Sequence, residues 1–432
     1  MNAKNQISII QIVNSLMIYY QKNTYTLLLL CLLFFGSIDT TAQDRILTNS
    51  NIVFIDYPGF EDQHSTWNDI GYSAFHNKVY VGVTNHHDNI AIYEYDVEQD
   101  HMSNHGFIAG MANLREFQWQ GKIHSKIVEG ADGVMYFATD GGESREEYLM
   151  NNPHGYAGGY FMSWDPTSDK LSNLGMGLQY ESMKDVDIDP GTGTIYGITY
   201  PQAHFLVYHP DENRLKDLGR LASAHVPRVI FTDQWGNCYY VDWRQRLVKY
   251  EISSDKLVFA EKSLPAFPGT PGSAIVTGIT AYAKDHQKGI IYLITYGAKI
   301  VAFIPQKEGI GTFEDLGGVY DLQEGQQWKP YVPNLVCGAN GKLYYIIGGH
   351  GNFVKKDKTI MMEYDPASGK KNIVYEFPVE AMVEATGSDV IDKYGNIYFA
   401  GRRMVSEEKQ GNEESVNSQP FMIKFNPGRP VK

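Results

Sequence analysis

The sequence predicts an all-β fold, a seven-bladed β-propeller made of four-stranded antiparallel blades, and three observations support this. A tight-turn motif that ends in Tyr recurs seven times along the chain. A second aromatic marker follows each copy of the first. Aromatic residues make up 13% of the 432 residues and 42 are Gly, a composition that suits pleated strands joined by tight turns.

The first marker joins a turn residue to the start of a strand. Gly stands in six of the seven turns and Asn in the other, and both residues tolerate the positive φ of a hairpin turn. The tyrosines are 43 to 60 residues apart, a spacing typical of propeller blades. The seven copies are NKVY at 77–80, GVMY at 133–136, GTIY at 193–196, GNCY at 236–239, GIIY at 289–292, GKLY at 341–344 and GNIY at 395–398.

The second marker is expected to end a third strand in each repeat. Pro follows the aromatic residue in five of the seven copies, and Pro cannot continue a ladder because it lacks an N–H. A fourth strand is predicted in stretches such as KLSNLG (170–175) and RLKDLG (214–219). The markers begin at Tyr95, Trp164, Tyr208, Tyr250, Phe303, Tyr364 and Phe425.

The repeats occupy roughly residues 51–427. The seventh is predicted to run over 388–427, and the early segment NIVFI (51–55) is expected to complete it and close the ring. An open β-solenoid is the competing architecture. The longest insertions are predicted at 140–159, 348–359 and 402–419.

The charge balance limits the class of partner. The formal net charge is −13 and no block of Lys or Arg is present, which argues against a nucleic-acid partner. An acidic polysaccharide or oligosaccharide stays possible, because one or two buried arginines can hold an anionic sugar. The protein is expected to be a monomer.

The N-terminus is typical of a targeting segment. The apolar run TLLLLCLLFFG (26–36) has the length of a signal-peptide core and is too short to span a bilayer. We therefore expect a signal peptide over 1–42, with Met17 as an alternative start, and one propeller domain over 43–432. A membrane anchor is the alternative. The expected location is secreted or periplasmic, without stable membrane insertion. Cys238 and Cys337 fall in different repeats, so no disulfide is implied.

The propeller geometry predicts where a ligand site lies. The innermost strands begin at one face, and the loops between second and third strands return to it, so both surround one mouth of the channel. His, Arg and Tyr residues gather at this mouth. Strand starts contribute His124 and Arg228, and the loops contribute His86, His87, Asp140, His154, Tyr200, His204, Trp243, Arg244, Tyr296, His350, Arg402 and Arg403. Each of these also has a structural alternative, such as a strand-capping His124 or an internally paired Arg228.

The runs KIHSKIVEGADGVMYFATDGG, GGYFMSWDP, IYGITYPQAHFLVYHP and KDLGR resemble the β-propeller polysaccharide lyases that act on ulvan (families 24 and 25) and their uncharacterised bacterial relatives. The resemblance covers residues 122 to about 242 closely and the rest as repeat architecture. It implies β-elimination at a uronic acid. It also implies Arg228 as the carboxylate ligand, His124 as the base and Tyr200 as the acid, although His124 and Tyr200 can exchange roles.

The remaining expected contacts are with substrate. They involve His204, His154, Trp243 and His350. The sequence departs from the family in FATD, where Asp140 stands at the position of an expected second histidine and His154 is the nearest replacement. No cofactor is expected. Two alternatives stay open: an oligogalacturonate-type lyase that uses a divalent cation held by histidines, and a non-catalytic carbohydrate-binding propeller.

Overall fold

The computed structural model divides the chain into two units, Met1–Ile46 and Leu47–Lys432. It describes residues 51–85, 90–141, 156–220, 228–265, 278–321, 331–347, 359–378, 383–410 and 413–431, all in the second unit. Within these ranges no helix is long and apolar enough to cross a membrane.

The described strands form seven antiparallel blades, which confirms the predicted fold. The first strand is β1 (Ile52–Asp56), and blade 1 contains β2 to β5 (Ile70–Ser73, Lys78–Thr84, Ile90–Asp96, His101–Phe107). Blade 2 contains β6 to β10 (Lys122–Ile123, Val128–Glu129, Met135–Asp140, Tyr160–Asp165, Lys170–Met176). Blade 3 contains β11 to β14 (Ser182–Asp189, Thr194–Tyr200, His204–His209, Arg214–Arg220). Short helical turns lie at Ile108–Met111, Glu116–Gln118 and Pro210–Glu212.

Blades 4 to 7 follow the same order from the innermost strand outward. Blade 4 contains β15 to β18 (Phe231–Thr232, Cys238–Val241, Arg246–Glu251, Lys256–Ser263), and blade 5 contains β19 to β22 (Ile279–Asp285, Ile290–Thr295, Lys299–Ile304, Thr312–Gly318). Blade 6 contains β23 to β26 (Asn334–Cys337, Leu343–Ile347, Ile360–Asp365, Lys370–Glu376). Blade 7 contains β27 to β29 (Val383–Ser388, Ile397–Gln410, Glu413–Phe425). The seventh blade thus begins at Val383, five residues before the predicted start. The expected insertion at 402–419 continues β28 and β29 as one long hairpin.

The ring closes as the sequence predicted. β1 pairs antiparallel with β29 from Ile52 opposite Phe425 to Asp56 opposite Phe421, so the first described strand is the outermost strand of blade 7. Both ends of the described domain therefore lie in one sheet. This arrangement joins the last blade to the first described strand and closes the ring.

The core of the described domain lies between blades. Each of seven buried clusters draws its side chains from two neighbouring blades, as between Tyr80 of blade 1 and Phe137 of blade 2. The repeat tyrosines contribute their rings to these interfaces, and Tyr80, Tyr196 and Tyr344 are completely buried there. The recurring Tyr marker is therefore the packing residue of the blade interface. Cys238 and Cys337 are buried and free.

Side chains in or next to the innermost strands of blades 2, 3, 5 and 7 take part in contacts between blades. We call this group the channel plug; it consists of Lys126, Asp185, Asp187, Tyr282, Lys284 and Asp389. Lys126 of blade 2 forms an ion pair with Asp185 of blade 3 and lies 5.3 Å from the ring centroid of Tyr282 in blade 5. The Asp185 carboxylate also accepts hydrogen bonds from the backbone N–H groups of Lys126 (3.0 Å) and Ile230 (2.8 Å). Charged side chains thus connect blades across the axis.

Candidate functional site

His124 lies where the innermost strand of blade 2 is interrupted. β6 ends at Ile123 and β7 begins at Val128, and between them the Ser125 hydroxyl substitutes for the ladder by accepting a hydrogen bond from the Ala138 N–H at 2.8 Å. His124 is 3% exposed. The break in the ladder places its imidazole at the start of the strand, on the predicted mouth of the channel.

The hydrogen bonding of His124 fixes its tautomer. Nδ1 lies 3.2 Å from the backbone carbonyl oxygen of Lys184, and because a carbonyl only accepts, Nδ1 carries the proton. This is the single hydrogen bond of the imidazole within the described residues, so Nε2 keeps its lone pair. Burial, with the charges of Lys184, Arg228 and Lys122, holds the pKa of His124 well below its ordinary value. The side chain is therefore a neutral acceptor at neutral pH.

Lys184 connects His124 to Tyr200. It lies at a β-bulge, because the register of β11 on β12 shifts between Met183 and Asp185. Its ammonium group forms an ion pair with Asp140, which is 1% exposed, and lies 4.8 Å from the ring centroid of Tyr200. Burial lowers the pKa of Lys184 to about 8 against the opposing charge of Asp140. Asp140, which replaces the expected second histidine, is thus the counter-ion of a buried lysine.

Arg228 lies just before the innermost strand of blade 4, next to two tyrosines. Its Nε donates a hydrogen bond to the Tyr296 hydroxyl at 3.2 Å, and its Cζ lies 5.6 Å from the ring centroid of Tyr331. Within the described residues it has no ion pair with a carboxylate. A guanidinium carries five N–H donors, and most of those of Arg228 stay available for a ligand.

Further charged side chains from blades 7 and 2 lie around Trp67. Lys122 Nζ lies 5.1 Å and Arg402 Cζ lies 4.9 Å from the Trp67 ring. Arg402 is held by Glu384, whose Oε2 accepts hydrogen bonds from Nε at 2.8 Å and Nη2 at 2.6 Å. Four cationic side chains, Lys122, Lys184, Arg228 and Arg402, are thus described at the mouth, and two of them are paired with the carboxylates of Asp140 and Glu384.

The three predicted catalytic residues, His124, Tyr200 and Arg228, are connected through the side chain of Lys184. The charge of Arg228 acts on both His124 and Lys184, and Lys184 contacts both His124 and Tyr200. Tyr296 and Arg402, also predicted at the mouth, belong to the same cluster. His86, His87, His154 and His350 lie outside the described residues.

Two predicted substrate contacts differ in position. Trp243 is 54% exposed in the turn after β16, with the guanidinium of Arg244 4.8 Å from its ring centroid. His204 begins β13, and its Nδ1 lies 3.0 Å from the Asp217 carboxylate on the outermost strand β14. His204 thus points to the outer strand of its own blade, away from the mouth. Trp243 lies at the rim and presents an open aromatic face.

Sequence reasoning missed Lys122, Lys184, Tyr331, Glu384 and Trp67. One signal was available for Lys122, since it precedes His124 by two positions and alternate residues of a strand share a face. Lys184 gave no such signal, because its orientation comes from a bulge. Among the described residues no group of three His, Cys, Asp or Glu side chains is arranged to hold a metal ion.

No protein-family model matches this chain, and no curated protein matches it. Solved structures do. The WD40 repeats of RRP9 match 88% of this chain and 98% of their own at 11% identity, with a TM-score of 0.53. A fungal alcohol oxidase of the AA5 family, in complex with copper, matches 88% of this chain and 78% of its own at 13% identity and a TM-score of 0.52. The structure of U3-55K matches 87% of this chain and 98% of its own at 11% identity, with a TM-score of 0.51. At these identities the similarity shows the fold alone: the chain is a β-propeller.

Proposed function

We propose that this protein is a polysaccharide lyase that cleaves a uronic-acid-containing polysaccharide, ulvan or a similar polymer, by β-elimination. The observation that carries the proposal is Arg228, a guanidinium beside two tyrosines without a carboxylate partner in the described residues. A buried or half-buried arginine needs an anion, and a uronate carboxylate meets that need. The sequence resemblance to ulvan lyases points to the same substrate class.

The reaction requires the C5 proton of the uronate to become acidic. Arg228 binds the carboxylate and stabilises the negative charge that develops when the C5–H bond breaks, which is usually the largest contribution to such catalysis. The positive charges of Lys122 and Lys184 act in the same direction. Their presence at the mouth supports an enolate-like intermediate in a site of low dielectric constant.

Proton transfer is assigned to His124 and Tyr200. The lone pair of His124 Nε2 accepts the C5 proton, the electrons of the C5–H bond form the C4–C5 double bond, and the C4–O4 bond breaks. The Tyr200 hydroxyl gives its proton to the departing O4. The products are an unsaturated uronate and a new chain end. A positioned acid or base of this kind contributes about 10²–10⁴-fold to the rate.

The test is incubation of the purified protein with ulvan, pectin, alginate and glycosaminoglycans, with absorbance followed in the ultraviolet band of the unsaturated product. A rise is expected with at least one polymer, and Arg228→Ala is expected to suppress it while leaving the thermal unfolding midpoint unchanged. No rise with any of these polymers would refute lyase activity. Loss of activity with a chelator would instead favour the cation-dependent lyase.

A carbohydrate-binding propeller is the second candidate. It is favoured by Asp140, which stands where the related lyases are expected to have a histidine and is engaged by Lys184. Binding of a uronic-acid polymer, measured by calorimetry, without any unsaturated product would identify this function.

A further inference from the structure

Tyr200 lies at the end of β12, beyond the part of that strand that pairs with β13. The ladder between β12 and β13 ends at Ile198 opposite Phe205, whereas Ser182 of β11 is still opposite Tyr200. Backbone pairing therefore holds Tyr200 from one side only. The loop that follows depends on side chains for its shape, because the ladder to β13 has already ended.

Glu181 provides these contacts. Its Oε2 accepts hydrogen bonds from the Thr199 hydroxyl at 3.0 Å and from the Gln202 backbone N–H at 2.9 Å. Thr199 precedes Tyr200 directly, and Gln202 lies two positions after it. One carboxylate oxygen thus holds the chain on both sides of Tyr200.

The Thr199 hydroxyl extends this network across the loop. Its oxygen accepts a hydrogen bond from the backbone N–H of His204 at 2.9 Å, so the first residue of β13 is joined to the end of β12. Thr199 is completely buried and Glu181 is 6% exposed. A buried carboxylate strongly restrains the groups that donate hydrogen bonds to it, because water and salt weaken such contacts little. The network therefore fixes the loop of residues 199–204.

This restraint acts on a residue whose position matters for the proposed reaction. The ring centroid of Tyr200 lies 4.8 Å from Lys184 Nζ, and the Tyr200 hydroxyl is the proposed proton donor to O4. A displacement of about 1 Å in a reacting group can cost about 10²-fold in rate. A loop that carries a proton donor therefore has to be held more firmly than one that only connects two strands.

We propose that Glu181 is the positioning residue of Tyr200: its carboxylate fixes residues 199–202 and keeps the phenol in place for proton transfer to the departing O4. Glu181 acts through the loop and is assigned no contact with the saccharide. The inference rests on the proposed function and deepens it, because it names the group on which protonation of the leaving group depends.

The test compares two leaving groups. A sugar alkoxide is a poor leaving group and needs a proton, whereas 4-nitrophenolate is stable as an anion and departs without one. The two substrates are therefore a uronic-acid polymer and a synthetic uronide whose O4 carries a 4-nitrophenyl group. In both, the C5–H bond breaks, its electrons form the C4–C5 double bond, and O4 leaves with the electron pair of the C4–O4 bond. Only the alkoxide is protonated as it leaves.

Glu181→Ala is expected to lower kcat on the polymer by about 10²-fold and to leave KM within about twofold of the wild-type value. On the 4-nitrophenyl uronide, kcat should stay within about twofold, because no acid is needed. Glu181→Gln keeps an oxygen that accepts both hydrogen bonds and should restore most of the activity. Thr199→Val removes the hydroxyl and nearly keeps the shape of the side chain. It should show the same selective loss on a smaller scale, so the test does not depend on the folding of one variant.

Glu129→Ala is the matched control. Glu129 holds another turn in the same way, because its carboxylate accepts hydrogen bonds from the Ser73 hydroxyl and from the backbone N–H groups of Ala74 (3.0 Å) and Phe75 (3.1 Å). That turn joins β2 to β3, at the end of the blade opposite the mouth. The control variant should lower the thermal unfolding midpoint and leave kcat on both substrates unchanged.

Equal losses on the two substrates in Glu181→Ala would overturn the inference, as would an unchanged kcat on the polymer. A loss of the same size and selectivity in Glu129→Ala would also overturn it, because holding any turn of the propeller would then be enough. Failure of the proposed function has a different signature. In that case the wild-type protein releases neither an unsaturated uronate nor 4-nitrophenolate, and both proposals are refuted together.

Discussion

Two lysines of blade 2, Lys122 in β6 and Lys126 in the break between β6 and β7, show how the mouth and the plug of the channel differ. Lys126, in the channel plug, forms an ion pair with Asp185 and donates a hydrogen bond to the Ile230 carbonyl at 2.7 Å. Lys122, four positions nearer the mouth, has no such partner in the described residues. Both are buried, at 2% and 8% exposure. Within the described residues the protein thus supplies an ion-pair partner to Lys126 in the plug but none to Lys122 at the mouth.

The hydrogen-bond partners of the charged groups distinguish the plug from the mouth. Asp185, Asp187 and Asp389 each accept a backbone N–H from another blade, so these carboxylates link innermost strands that have few ladder partners at the axis. At the mouth, Arg228 and His124 make one side-chain hydrogen bond each within the part of the chain that the structure describes. Buried carboxylates that accept such hydrogen bonds hold the blades together.

The largest expected effect is at the mouth. His124→Ala should lower kcat/KM on the uronic-acid polymer by about 10²–10⁴-fold, the usual contribution of a positioned base. The unfolding midpoint should stay unchanged, because the imidazole makes one hydrogen bond within the described residues. His204→Ala is the matched control, since that histidine faces Asp217 on the outer strand. Equal losses in the two variants would show that the site is elsewhere.

The next effect is on stability and belongs to the plug. Asp185→Ala leaves Lys126 buried without a counter-ion and removes an acceptor for two backbone N–H groups, so it should lower the free energy of unfolding by about 3–5 kcal/mol. Urea denaturation measures the change. Lys122→Met is the contrasting variant and should change stability by less than about 1 kcal/mol, because no ion pair is broken. Similar losses in both would remove the distinction between plug and mouth.

The ion pair of Lys184 and Asp140 should give the activity a dependence on pH. Lys184 has a pKa of about 8, so its positive charge is lost as the pH rises through that value, and kcat/KM should fall there. Asp140 raises the pKa of Lys184, so Asp140→Asn should move this alkaline limb to lower pH. The pH dependence of kcat/KM, measured in both proteins, tests this. A limb that does not move would show that Lys184 has no part in it.

The fold was predictable because each blade repeats two local signals, a turn with Gly or Asn and an aromatic residue at the blade interface. Closure by the strand at 51–55 followed from the shortage of strands in the seventh repeat. Much of the site was not predictable. His124 and Arg228 stand at strand starts, which the repeat locates, whereas Lys184 is directed by a bulge and Glu384 acts through Arg402. The contact of His204 with Asp217 was not predictable either, since sequence position within a loop does not reveal to which strand a side chain turns.

The smallest effect is expected at the rim. Trp243 is 54% exposed, so its ring can stack on a sugar while the rest of the side chain stays in contact with water. Trp243→Ala should raise KM about two- to tenfold with kcat unchanged, because a contact made equally in the ground state and the transition state affects binding alone. Trp235→Ala is the control, another tryptophan of blade 4 that is 37% exposed and lies in the turn at the opposite end of the blade. A fall in kcat in Trp243→Ala would contradict this prediction and show that Trp243 contributes to the chemical step.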